Sequence, residues 1–134
     1  SLTVGSFISN KKPRELLCLS LQRAQFCSLM SNHNPLQQHK EQAFLIGLFS
    51  ILDAMFDLSI EYLVDQLPLS QAIKLALLER QGPYGILLTI EECYEKADWQ
   101  GMQSACDLLN LSIDDVMLNI SEAQRWSQSI QKIG

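Results

Sequence analysis

The chain has 134 residues, 47% of them hydrophobic and 19% charged, so it can bury the core of one domain and need not be disordered. No apolar run approaches the roughly 18 residues of a membrane span; the longest, Ala43 to Phe49, is soon interrupted by Ser50 and Asp53. Fifteen acids against ten bases leave a net charge of −5, which repels phosphate backbones and argues against a general nucleic-acid binder. The balance is uneven: residues 1–40 carry five basic side chains and one acid, residues 41–134 five basic and fourteen acidic.

Residues 1–12, with Lys11 and Lys12, read as a flexible, solvated lead-in, and Ser1-Leu2 as an added remnant. The start lacks Met and shows no basic stretch followed by an apolar one, so it is not a secretory signal. Residues 13–134 form the predicted folded domain. Pro13 opens a helix to Met30 with an apolar face at Leu17, Leu21, Ala24, Cys27 and Met30. Asn32, Asn34 and Pro35 break it. A second helix is predicted from about Gln37 to Asp57, the buried centre of the bundle, with Phe44, Leu48, Leu52 and Phe56 covered. Gly47 within it costs about 1 kcal/mol against Ala, which points to a close helix crossing.

Ser59 suits the N-cap of a short helix that Pro68 stops, and Ser70 starts another with Leu69, Ile73, Ala76 and Leu77 inward. Gly82 is placed at its C-terminus and Pro83 in the first turn of the next, about Tyr84 to Lys96, with Leu87, Leu88, Ile90 and Tyr94 buried. Asp98 caps Trp99 to Leu109. Ser112 and Asp115 resemble a capping box for a final helix with Ile113, Met117, Ile120, Ala123, Trp126 and Ile130 inward. Trp99 and Trp126 are both assigned to the core. The expected fold is an all-α bundle of about seven helices.

Chemistry-bearing residues are sparse. Cys18, Cys27, Cys93 and Cys106 contain no C-x-x-C pair and read as reduced core thiols. His33 and His39 flank Pro35, so no helix face aligns them as ligands, and nothing places Cys27 against His33 as a nucleophile pair. Gly82-Pro83-Tyr84-Gly85 is a turn without a phosphate-binding context. Asp114 and Asp115 fit a first helical turn. Glu91 and Glu95, with Glu92, read as a wet helix face. Asp53, set in an apolar stretch, is expected to make a structural hydrogen bond to a neighbouring helix end. The Asn-x-Ser sequons at Asn110 and Asn119 read as accidental.

The order of segments resembles a known family. Leu21-Gln22-Arg23-Ala24-Gln25-Phe26-Cys27 is similar to the R-A-x-F-C helix of the HDOD domains of bacterial signalling proteins. Ala43 to Ala54 (AFLIGLFSILDA) resembles the F-x-x-G-L-F-S-x-L-D-A helix of the branch that joins HDOD to an EAL-type cyclic-di-GMP domain. Leu67-Pro68-Leu69, Ala76 to Pro83, Tyr94 to Trp99 and Ala123 to Trp126 follow in the branch's order, so that the likeness covers about residues 15–127. It implies an HD-like bundle, the C-terminal portion of an HDOD domain.

The resemblance also implies where a metal would lie in related HD hydrolases. Aligned on Gly47-Leu48-Phe49, their His and Asp ligands correspond to Ser50 and Ile51, and Ile has no donor to offer. The family likeness therefore implies a cytoplasmic, non-catalytic regulatory and protein-interaction module with no cofactor and no metal, bound to its own EAL domain or another signalling protein, or paired with a second copy. A rival reading is a small-molecule sensor with a pocket at the degenerate site, near Ser50 and Asp53. A third, an HD phosphohydrolase, lacks the histidines it needs.

Overall fold

The computed structural model describes residues 13–33 and 40–133, and these form eight helices and no strand. In chain order they are α1 (Pro13–Met30), α2 (Lys40–Phe49), α3 (Leu52–Phe56), α4 (Ile60–Gln66), α5 (Gln71–Glu79), α6 (Gly82–Glu95), α7 (Trp99–Leu108) and α8 (Ile113–Ile133). The expected all-α class holds. The lead-in, Pro35, His39 and the start predicted near Gln37 lie outside the described residues.

Local chemistry accounts for most boundaries. Ser59 accepts from the Tyr62 amide and Ser70 from the Ile73 amide, while Asp98 accepts from Gly101 and Ser112 from Asp115. Each fills an amide that the first helical turn leaves without a carbonyl. The turn after α5 departs from expectation. Arg80, not Gly82, takes the left-handed C-cap conformation, with φ 54°. Its side chain offsets that strain by donating to the Leu77 carbonyl at 2.6 Å and by pairing with Glu92. Gly82 also has positive φ, 78°, but opens α6.

α1 is the central strut, packed most extensively against α2 and α8. α8 runs antiparallel along it: the Ser127 hydroxyl donates to the Cys18 carbonyl at 3.0 Å, and Arg14 donates to the Gln131 carbonyl at 3.2 Å. α6 packs on α7 and, across the bundle, on α1. Phe26, Met30, Leu87, Leu88, Ile90 and Met102 fill the space between them and are wholly buried. Phe44 and the half-buried Trp126 meet edge to face, ring centres 6.1 Å apart, closing the α2–α8 side.

The close crossing expected at Gly47 is present. A Cβ there would land on the Arg23 carbonyl and 2.6 Å from Ala24 Cα, both backbone atoms of α1. Gly47→Ala adds about 1 kcal/mol of helix propensity, but the clash with rigid backbone outweighs it. A net loss of about 1–3 kcal/mol is expected, read as a lower urea midpoint at unchanged m; a midpoint that rises would refute the crossing.

Several expectations need correction. The single helix to Asp57 is broken at Ser50–Ile51. Ser50 turns its hydroxyl to the Gly47 carbonyl at 2.8 Å, a local bond that competes with helix continuation. Phe44, Leu48 and Leu52 are consequently half-buried and Phe56 is 59% exposed. On α1 the buried stripe is Leu16, Ser20, Arg23, Ala24, Cys27 and Met30, so Leu17 faces solvent. The stripe is rotated because Ser20 reaches α2, donating to the Leu48 carbonyl at 2.6 Å.

On α8 the centre of the inward face is Val116, Ile120, Ala123 and Ser127, with Ile113, Met117, Trp126 and Ile130 at its flanks. Trp99, at a helix start on the rim of the bundle, is 54% exposed and touches Tyr94 by its edge. Of the four free cysteines, Cys27 and Cys106 are buried, whereas Cys18 and Cys93 are only half-buried.

Candidate functional site

The chain's concentration of buried charge lies where α1, α2 and α6 meet. Arg23, on the inward face of α1, is 5% exposed. Its Nε donates to Glu95 Oε2 at 3.0 Å and its Nη2 to Glu95 Oε1 at 2.6 Å, a two-pronged ion pair with α6. Its Nη1 donates to Ser50 Oγ at 3.0 Å. One guanidinium thus ties α1 to α6 and to the break between α2 and α3. Burial opposes its charge, but the bonds to Glu95 and the nearby carboxylates outweigh that and raise its pKa further.

Glu91 lies one helical turn before Glu95 on the same face of α6. It is fully buried, and among the described residues neither carboxyl oxygen has a hydrogen-bond partner. The wet face expected for Glu91 and Glu95 is therefore wrong for Glu91. Burial first, and then the charge of Glu95, push its pKa to about 8, with Arg23 opposing. At neutral pH Glu91 is a carboxylic acid.

Cys27 follows Arg23 by one turn of α1. Burial, and secondly Glu91, push its thiol far above the usual range, so it is no thiolate nucleophile. Glu92, beside Glu91, pairs with Arg80 at 3.1 Å. Burial would raise Glu92, but the bond and charge of Arg80 prevail and hold it below the ordinary carboxylate value.

The predicted pocket residues part company here. Ser50 is buried in the cluster, accepting from Arg23 and donating to Gly47. Asp53 is half-buried and bonds within its own helix, Oδ1 accepting from the Ala54 amide at 2.9 Å, rather than to a neighbouring helix end. Ile51 is buried and apolar. Among the described residues no three His, Cys, Asp or Glu side chains are grouped to hold a metal ion. His33 closes the end of α1, and His39 lies outside the described residues.

Sequence reasoning missed Arg23 and Glu91 as partners in one buried cluster. A signal existed for Glu91: it falls four residues after Leu87 and three after Leu88, on the stripe that turns inward. Arg23 likewise lies between Ser20 and Cys27 on a stripe that only packing reveals.

The chain is 59% identical over 133 residues to the cyclic di-GMP phosphodiesterase CdgJ of Vibrio cholerae serotype O1, a match that covers 99% of this chain and 31% of that protein. It is 33% identical over 85 residues to the uncharacterized protein YuxH of Bacillus subtilis, covering 63% of this chain and 20% of that protein. The chain thus spans about a third of the length of the first relative and a fifth of the second. No family model matches, and no solved structure matches. Among the described residues no helix is long and apolar enough to cross a membrane.

Proposed function

We propose that this chain is a non-catalytic regulatory and protein-interaction module of a cyclic-di-GMP signalling protein, of the HDOD kind that the sequence resembles. The likeness to a cyclic di-GMP phosphodiesterase along 99% of the chain supports the signalling context. The reading places hydrolysis of cyclic di-GMP in an EAL domain outside these residues and places the whole protein in the cytoplasm. The observation that carries the non-catalytic part is at Ser50. Where the resemblance aligns a metal-ligating His, a serine hydroxyl accepts from Arg23, whose fixed positive charge would oppose a divalent cation. A module without a reactive centre acts by binding one state of a partner better than another.

Two measurements test this. The purified chain with Mn²⁺ or Mg²⁺ is expected to release no product from cyclic di-GMP or from a phosphomonoester, and to hold no stoichiometric metal. About one iron, manganese or zinc per chain, by elemental analysis, would overturn the reading of Ser50 and Ile51. In the longer parent protein, deleting residues 15–134 is expected to change both the rate of cyclic di-GMP hydrolysis and the partners recovered. An unchanged rate with unchanged partners refutes the regulatory role.

A further inference from the structure

The cluster at Arg23 contains more carboxylate than its cation can serve. Glu95 occupies Nε and Nη2 of the guanidinium, and Ser50 occupies Nη1. Glu91, fully buried and one turn away on the same face of α6, has no partner for either oxygen among the described residues. A group so placed is tolerated only while it is neutral.

Among the described residues the surroundings offer no second cation to take it. From α1 it meets Arg23 and, one turn on, the Cys27 thiol; from its own helix, Glu95 and Glu92. At the C-cap of α5, Arg80 is already paired with Glu92. α2 contributes the uncharged Ser50, and α7 buries Met102, Ala105 and the Cys106 thiol, which burial also keeps protonated.

We propose that Arg23, Glu95, Ser50 and Glu91 form a proton-operated latch. While Glu91 holds its proton, Arg23 belongs to Glu95 and Ser50, and the α2–α3 break is clasped to α1. When Glu91 gives its proton to water, two carboxylates one turn apart compete for one guanidinium. The weakest of Arg23's three bonds is the one to the neutral Ser50 hydroxyl, so this bond yields first. Ser50 then loses its tie to α1, and the segment behind it is freed.

That segment is built to respond. α3 has five residues and none of them is buried; Phe56, Leu58 and Tyr62 are already 45–59% exposed. Release of Ser50 would turn more of this apolar surface outward, altering what the module presents to a partner. The latch is a property of this chain alone and does not depend on the signalling role proposed above.

Amide hydrogen exchange of the full chain at pH 6 and pH 9, corrected for intrinsic exchange chemistry, tests the latch. Residues 50–57 are expected to lose at least tenfold more protection than α7 and α8 on going to pH 9. Glu91→Gln, nearly the same shape but without an ionising proton, is expected to remove that excess. Ser50→Ala is expected to show low protection of residues 50–57 at both pH values. Equal loss across all helices, or an excess that survives in Glu91→Gln, would overturn the proposal. Should Glu91→Gln fold poorly, the wild-type contrast between residues 50–57 and α7–α8 still decides, because a loss no greater in residues 50–57 refutes the latch.

Discussion

Raising the pH from 5 to 8 is expected to cost the folded chain several kcal/mol, and Glu91→Gln is expected to abolish most of that cost. Glu91 is wholly buried without a hydrogen-bond partner among the described residues, and burial pushes its pKa to about 8 against an ordinary 4.5. Between those values the folded state keeps a proton that the unfolded state has released, so stability falls as pH rises. At about 1.4 kcal/mol per pH unit the full penalty is roughly 4–5 kcal/mol, reached near pH 8 and absent below pH 4.5. Glu92 works in the opposite sense, because Arg80 holds its pKa down. Its contribution is present above the ordinary carboxylate value and is lost only as the solution turns more acidic, outside the window that Glu91 controls.

Urea unfolding at pH 5, 6.5 and 8 measures the effect. Wild type and Glu91→Gln should be close at pH 5, with the variant clearly more stable at pH 8. Parallel curves for the two proteins would show that Glu91 is not the group responsible. Glu91→Met goes further, since it removes both unsatisfied oxygens at similar volume. It is expected to exceed wild type even at pH 5, by about 1–3 kcal/mol, the usual cost of a buried polar group left unpaired.

Replacing Arg23 by Met is expected to cost about 2–4 kcal/mol. The apolar stem of Arg23 is largely reproduced by Met, so the loss comes from the head group. Removing one member of a buried pair usually costs about 3–5 kcal/mol, but Glu95 keeps 23% of its side chain in solvent and recovers part of this by hydration. Ser50 Oγ loses its charged donor, and Glu91 loses a cation that eases its burial. Arg23→Lys should rescue little, because an ammonium cannot bridge both oxygens of Glu95 and still reach Ser50. In a double-mutant cycle with Glu95→Gln, the pair should cost less than the sum of the single changes. Strict additivity in urea unfolding would mean that the 2.6 Å and 3.0 Å bonds contribute nothing jointly.

What the sequence by itself determined was local. Ser59, Ser70, Asp98 and Ser112 cap the helices that follow them, and Pro13 and Pro83 lie in first helical turns, because these effects act within three or four residues of chain. Gly47 signalled a close crossing since no helix-internal reason favours glycine there. The inner faces of α5 and α6 were legible where apolar residues stand at helical spacing, as at Ile73, Ala76, Leu77, Leu87 and Leu88.

Tertiary structure alone decided which polar groups went inside. Arg23 turns inward because Glu95 meets it from 72 residues away, and Ser50 ends α2 because Arg23 and the Gly47 carbonyl both claim its hydroxyl. Glu91 is buried because α1 and α7 close over α6 around the Leu87–Leu88 stripe, and that packing imposes the burial whatever the side chain's own preference for water. Leu17, Phe56 and Trp99 are exposed for the converse reason: the neighbouring helices cover their faces only in part. Helical spacing fixes which residues share a face, but only the surrounding helices fix whether that face meets protein or water.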